Sequence, residues 1–230
     1  MTAPLNHVSV ALEVGSKRTF ASALDWPGWA RSGRDEAAAL EALLAYGRRY
    51  QGAVRSSRQG FQAPEGLDAF DVFERLPGNP TTDFGAPDVE AAAESAPVDG
   101  AALERLQSLL KACWTYFAEV VEAAGGRELR KGPRGGGRSV EGIVDHVVDA
   151  HYNYLRRIYR REPREHVQDT SAVFQAVMRA DEGALAFAAS DEMPETGPRG
   201  GALWKPRYFV RRAAWHILDH AWEIEDRVEG

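Results

Sequence analysis

Cysteine is almost missing from this chain: Cys113 stands alone among 230 residues. One thiol forms no intramolecular disulfide, so a reducing compartment is the economical reading. Long apolar runs are missing too. No stretch of about 18 apolar residues occurs, and nothing is expected to span a membrane. The N-terminus "MTAPLNHVSVALEVGS" has no basic region followed by an apolar core, so it does not read as a signal peptide. A cytoplasmic protein is expected. A basic excess is also lacking, because the formal charge is -6. The first 80 residues balance nine acids against nine bases, so no basic stripe is available for phosphates and no nucleic-acid partner is expected. The glycine-rich "GGRELRKGPRGGGR" lacks the Lys-Ser/Thr ending of a P-loop and reads as an interhelical connection.

What the chain does have is two periods in succession. In "HVSVALEV", Val8, Val10, Leu12 and Val14 alternate as in a half-buried strand. Gly15-Ser16 and a second strand-like run, "KRTFASAL", predict a tight hairpin. Pro27-Gly28 marks a turn. "RDEAAALEALLAYGRRYQGA" then switches to helical spacing, with Asp35 and Glu36 in its first turn and Arg48 and Arg49 near its end, as a helix dipole favours. "AFDVFERL" reads as a returning strand. Residues 1–78 are therefore expected to form a small α+β domain.

The order of strand, aspartate, Pro-Gly turn and acid-capped helix in "SALDWPGWARSGRDEAAALEALL" resembles the HicB-like antitoxin domain over roughly residues 6–76. Family members that repress transcription carry a separate DNA-binding segment, and no helix-turn-helix or ribbon arm is found here. The plain reading of this half is a packing or dimerisation domain, so a homodimer is one expectation. Residues 79–98, rich in Pro, Gly, Ala and acids, read as a linker.

From residue 99 onward the pattern is helical. Leu103, Leu106, Leu110, Cys113, Phe117, Val120 and Ala124 alternate spacings of three and four up to a Gly-Gly stop. Ser139 is positioned to cap a second helix with Val140, Ile143, Val144, Val147, Tyr154 and Ile158 on its apolar face. A third helix carries Val173, Val177, Ala180, Ala184 and Phe187. A fourth begins near Pro206 and carries Val210, Ala213, Ala214, Ile217, Ala221, Ile224 and Val228. Four helices of about 30 Å each predict an all-α four-helix bundle over residues 99–230. The arginine-rich segments "RRIYRREPR" and "RYFVRR" read as solvated faces. Cys113 reads as a small buried core residue.

The last helix spends two histidines, His216 and His220, one turn apart, a spacing that lets both imidazoles reach one ion. Neutral imidazole suits zinc, nickel, iron or copper. His7 falls in the first strand and His166 in a loop, leaving His146 and His151 as partners. Helical angles put His216 and His220 about 80–120° to one side of the apolar stripe. His146 falls on the matching flank of its helix, whereas His151 falls near the middle of its stripe. Periodicity alone leaves His151 in play. Asp149 and Asp219 are within three residues of these histidines and are candidates to orient an imidazole. Arg207, Arg211 and Arg212 are candidates to bind an acidic substrate.

"SVEGIVDHVVDAHYNYL" and "WHILDHAWEIEDR" together resemble the DinB-like superfamily, which includes mycothiol-dependent maleylpyruvate isomerases. The resemblance covers roughly residues 99–230. It implies a four-helix bundle and a divalent metal, zinc or nickel, held by His146, His216 and His220. It also implies thiol-dependent transfer or isomerisation of a small-molecule substrate, with a low-molecular-weight thiol as cofactor. A non-catalytic metal-binding or stress-associated interaction protein, or a HicB-like antitoxin or regulator, is the alternative.

Overall fold

A computed structural model describes residues 7–131, 137–160, 169–190 and 192–228 of the chain. The opening residues Met1–Asn6 of the N-terminal segment, part of the glycine-rich connection and His166 lie outside them.

The N-terminal half is built on four strands, β1 (Val8–Val14), β2 (Thr19–Ala23), β3 (Ala30–Gly33) and β4 (Phe70–Pro77), in the order β3-β2-β1-β4. β1 pairs antiparallel with β2, and β2 with β3. β4 lies parallel to β1. Parallel neighbours need a long crossover, which α1 (Glu36–Ala45) and α2 (Gly47–Ala53) supply. The single helix expected here is thus two, parted at Tyr46. Asp35 caps α1 by accepting from the Ala38 amide at 2.8 Å.

The hairpin differs from the expected two-residue turn. Val14 pairs with Thr19, so the loop is Gly15–Arg18. Asp83 of α3 (Pro80–Phe84) holds it, accepting from the Lys17 amide at 2.8 Å and from the Ser16 hydroxyl. A tertiary contact, not turn chemistry, sets this loop. Val14, expected on the apolar face, is exposed at the strand end.

Both faces of the sheet carry packing, although Asp71, Phe73 and Arg75 on the edge strand β4 are exposed. Val10, Leu12 and Ala21 join the main core, while Phe20 and Ala30 pack on Trp215 of the last helix, α7 (Pro206–Arg227). The Phe20 and Trp215 rings meet edge-on, with centroids 5.9 Å apart. Gly28, at φ +95°, sits against the same helix, where an added Cβ would lie 3.0 Å from Ala214 and Leu218. Glycine is needed there for both conformation and space.

Four long helices follow: α4 (Gly100–Ala124), α5 (Val140–Leu155), α6 (Thr170–Ala188) and α7 (Pro206–Arg227). The expected α4 seam is buried from Leu106 to Ala124, and Gly125 ends the helix in the left-handed conformation. Ser139 caps α5, and Pro206 opens α7. On α6 the buried row is Phe174, Val177, Asp181, Ala184, Leu185 and Ala188, rotated from the expected face because Asp181 has partners inside.

Residues 79–98 join the halves as a packed strap. Glu94, buried in it, receives Arg211 of α7 through Nε at 2.6 Å and Nη2 at 2.9 Å. Glu13 of β1 accepts from the Asp88 and Val89 amides at 3.0 and 3.1 Å. The solvated face expected for "RYFVRR" is corrected accordingly: Arg211 and Arg212 are 3% and 7% exposed. The N-terminal half and the strap cover that end of α7, which the helix's own period could not reveal.

Candidate metal centre

α5 contributes His146, and α7 contributes His216 and His220 one turn apart. The structure brings all three together. One ring nitrogen from each lies within 4.8 Å of the others. His216 Nε2 stands 3.3 Å from His146 Nε2. Ring centroids are 4.7 Å apart for His216–His220, 4.9 Å for His146–His220 and 5.1 Å for His146–His216. His216 is buried and the other two are half-buried.

The electrostatics keep imidazoles neutral, which is the ligand form. Burial pushes the pKa of His216 well down, and the neighbouring His220, Arg212, His146 and His151 push it the same way. Burial also lowers His146, aided by His220 and Arg138. His220 Nδ1 meets Glu223 Oε2 at 2.7 Å. When Nδ1–H donates to that carboxylate, Nε2 keeps its lone pair for an ion, the carboxylate–histidine pattern common at metal sites. Glu223 is held as a carboxylate by His220 first and then by Arg227, which donates to its other oxygen. The donor set is therefore compatible with a divalent metal ion.

Of the two candidate orienting acids, Asp219 is engaged elsewhere. Asp219 pairs with Arg31 of β3 at 2.8 Å. Asp149 is exposed on α5, and its charge acts on the His146 imidazole one turn before it. Glu223 takes the orienting role, and sequence reasoning missed it although it follows His220 by three residues, one helical turn. His151 is not part of the cluster. It is 1% exposed, with Nε2 2.6 Å from Asp181 Oδ1, whose other oxygen accepts from Trp114 Nε1 at 2.9 Å. That network fixes α4, α5 and α6 to one another, and nothing in the sequence pattern distinguished Asp181 from a surface acid. Cys113 is fully buried, and burial pushes its thiol up to about 12, so it is inert. Of the three candidate arginines, Arg207 donates to the Ala96 and Pro97 carbonyls and Arg211 is taken by Glu94.

A model of the DinB superfamily matches residues 109–224, from α4 to near the end of α7, and so contains all three histidines. The chain belongs to the DinB superfamily. No curated protein and no solved structure matches it. The superfamily match leaves the sheet outside its bounds, yet within the chain that sheet packs on the histidine-bearing helix. Among the described residues, no helix is long and apolar enough to cross a membrane.

Proposed function

We propose that His146, His216 and His220 hold one divalent ion, zinc or nickel. On this reading the protein is a metal-dependent enzyme of thiol-dependent transferase or isomerase type acting on a small molecule. The observation that carries this is the meeting of three ring nitrogens within 4.8 Å, drawn from two helices and about seventy residues of chain. A divalent ion there supplies Lewis acidity and lowers the pKa of a water or thiol that reaches it. The chain's own residues prepare the place. Burial, complete for His216 and partial for His146, favours their neutral form, aided by the neighbouring histidine and arginine side chains. Glu223 fixes the tautomer of His220, and Arg227 anchors Glu223.

Membership of the superfamily supports a four-helix bundle for α4–α7. The resemblance to mycothiol-dependent isomerases supports a low-molecular-weight thiol as co-substrate. In the same proposal the HicB-like half serves as a brace for α7 and no nucleic acid is bound. A second reading, a metal-binding interaction protein without turnover, draws on the commitment of Glu223 to both His220 and Arg227, which removes it as a general base.

Elemental analysis of the purified wild type, His216→Ala and His220→Ala tests the site. Stoichiometric metal is expected in the wild type and loss of it in both variants. Full retention in both ends the assignment. Turnover of electrophiles with a panel of thiols then separates enzyme from binder.

A further inference from the structure

Arg227 closes α7 and donates in three directions. Its Nη1 meets Glu223, the carboxylate that orients His220. Its Nε donates to the Arg130 carbonyl at 3.0 Å, and its Nη2 to the Arg138 carbonyl at 3.2 Å. Arg130 and Arg138 stand toward the two ends of the connection between α4 and α5. One guanidinium therefore joins both ends of that connection to the carboxylate behind a candidate ligand. The Arg227 side chain is only 15% exposed, so water competes weakly for these bonds.

The same guanidinium reaches the other ligand-bearing helix. Arg138 immediately precedes Ser139, whose hydroxyl caps α5 by accepting from the Gly142 amide at 3.2 Å. His146 follows about two turns along that helix. Arg227 thus ties the start of the helix that supplies His146 to the end of the helix that supplies His216 and His220. The backbone reinforces the tie: the Arg130 amide donates to the Arg227 carbonyl at 2.7 Å, and Leu129 bridges to Val228. Gly137 leaves the guanidinium its room. A Cβ added there would lie 2.2 Å from Nη2, so the arginine would have to move away.

A basic residue in a last helical turn ordinarily meets the free carbonyls of its own helix. Arg227 spends its donors on a separate segment and on Glu223 instead. A planar fork fixes the directions of its acceptors together, which an ammonium on a flexible stem does not. Moving one acceptor therefore disturbs the others. We propose that Arg227 is the positioning residue of the histidine cluster, and that through it the ends of the α4–α5 connection set how tightly the ion is held. The proposal rests on the metal assignment above. His220 keeps Nε2 free for an ion while Glu223 holds Nδ1–H, and Arg227 holds the other oxygen of Glu223.

The test uses full-length protein, with zinc affinity read by competition with a chromophoric chelator. The visible bands of cobalt(II) loaded in place of zinc report ligand geometry, and denaturation midpoints are measured in parallel. Gly137→Ala, which alters no side chain of the cluster, and Arg227→Met are each expected to weaken zinc binding about ten-fold and to shift the cobalt bands. Arg227→Lys should recover part of the affinity through Glu223. Arg130→Ala removes a different tie of the same connection, from its Nη2 to the Asp226 carbonyl. It should lower the midpoint while zinc affinity and cobalt bands stay as in the wild type. Wild-type affinity and bands in Arg227→Met overturn the proposal, and so does an equal loss in Arg130→Ala, which would mean general loosening. Where Arg227→Met does not fold, unchanged binding by Gly137→Ala overturns it. A wild type that binds neither ion removes the metal assignment and this proposal with it, whereas tight wild-type binding with unmoved variants removes this proposal alone.

Discussion

The two long sides of α7 treat charge in opposite ways. Toward the N-terminal half, the charges have partners: Arg211 with Glu94, Asp219 with Arg31 at 2.8 Å, and Glu225 with Arg49 at 2.6 Å. On the adjacent side, three imidazoles face one another and Arg212 has two nitrogens without an acceptor. Arg211 and Arg212 are consecutive residues, both buried, so burial alone does not explain the contrast. The paired side holds two parts of one chain together, and its energetics are complete within the fold. The other side gathers the imidazoles beside donor nitrogens of Arg212 that have no hydrogen-bond partner. That asymmetry separates ion-paired groups from clustered imidazoles on a helix whose residues are buried almost all the way round.

Breaking the paired side has the largest expected effect. Arg211→Ala leaves the Glu94 carboxylate buried and uncompensated, and loss of one member of a buried pair typically costs about 3–5 kcal/mol. Chemical denaturation should show it as a large fall in the midpoint, with metal content retained by the protein that remains folded. A change below about 1 kcal/mol would mean that the strap is not held by this pair.

Glu223→Gln sharpens the other side. It keeps the shape but weakens the hold on His220, and loss of such an orienting partner lowers metal affinity by about 10- to 100-fold. Competition with a chromophoric chelator measures this directly, and unchanged affinity would remove Glu223 from the centre. The smallest effect is expected for Arg31→Ala. Its partner Asp219 is 40% exposed, so solvent screens the pair and the loss should stay below about 1 kcal/mol. Zinc affinity should not move, and if it does, Asp219 reaches the centre after all.

Much of the centre was legible because helix spacing is a local property. His216 and His220 are neighbours on any α-helix, and the angular offset of His146 from its apolar stripe already placed it on a flank rather than in the core. His151 was left open by the same arithmetic. The contact with Asp181 removed it, since a histidine deep in a core needs a partner and finds one on another helix. Glu223 was within reach of the spacing rule, whereas Arg212 was not. "RYFVRR" looks like a charged helix end, and only the strap and the sheet bury it. The parallel pairing of β1 with β4 and the capture of the hairpin loop by Asp83 were equally beyond a local reading, because both join segments more than fifty residues apart.

The amino-acid order thus determined where strands and helices fall, which residues cap them and which two histidines share a turn, since backbone geometry imposes those periods within a few residues. Tertiary structure decided the rest: which imidazole from α5 meets the pair, which carboxylate orients it, and which of two adjacent arginines is left without an acid. Those outcomes depend on what packs against α7 from elsewhere in the chain, and burial and charge pairing are properties of that packing.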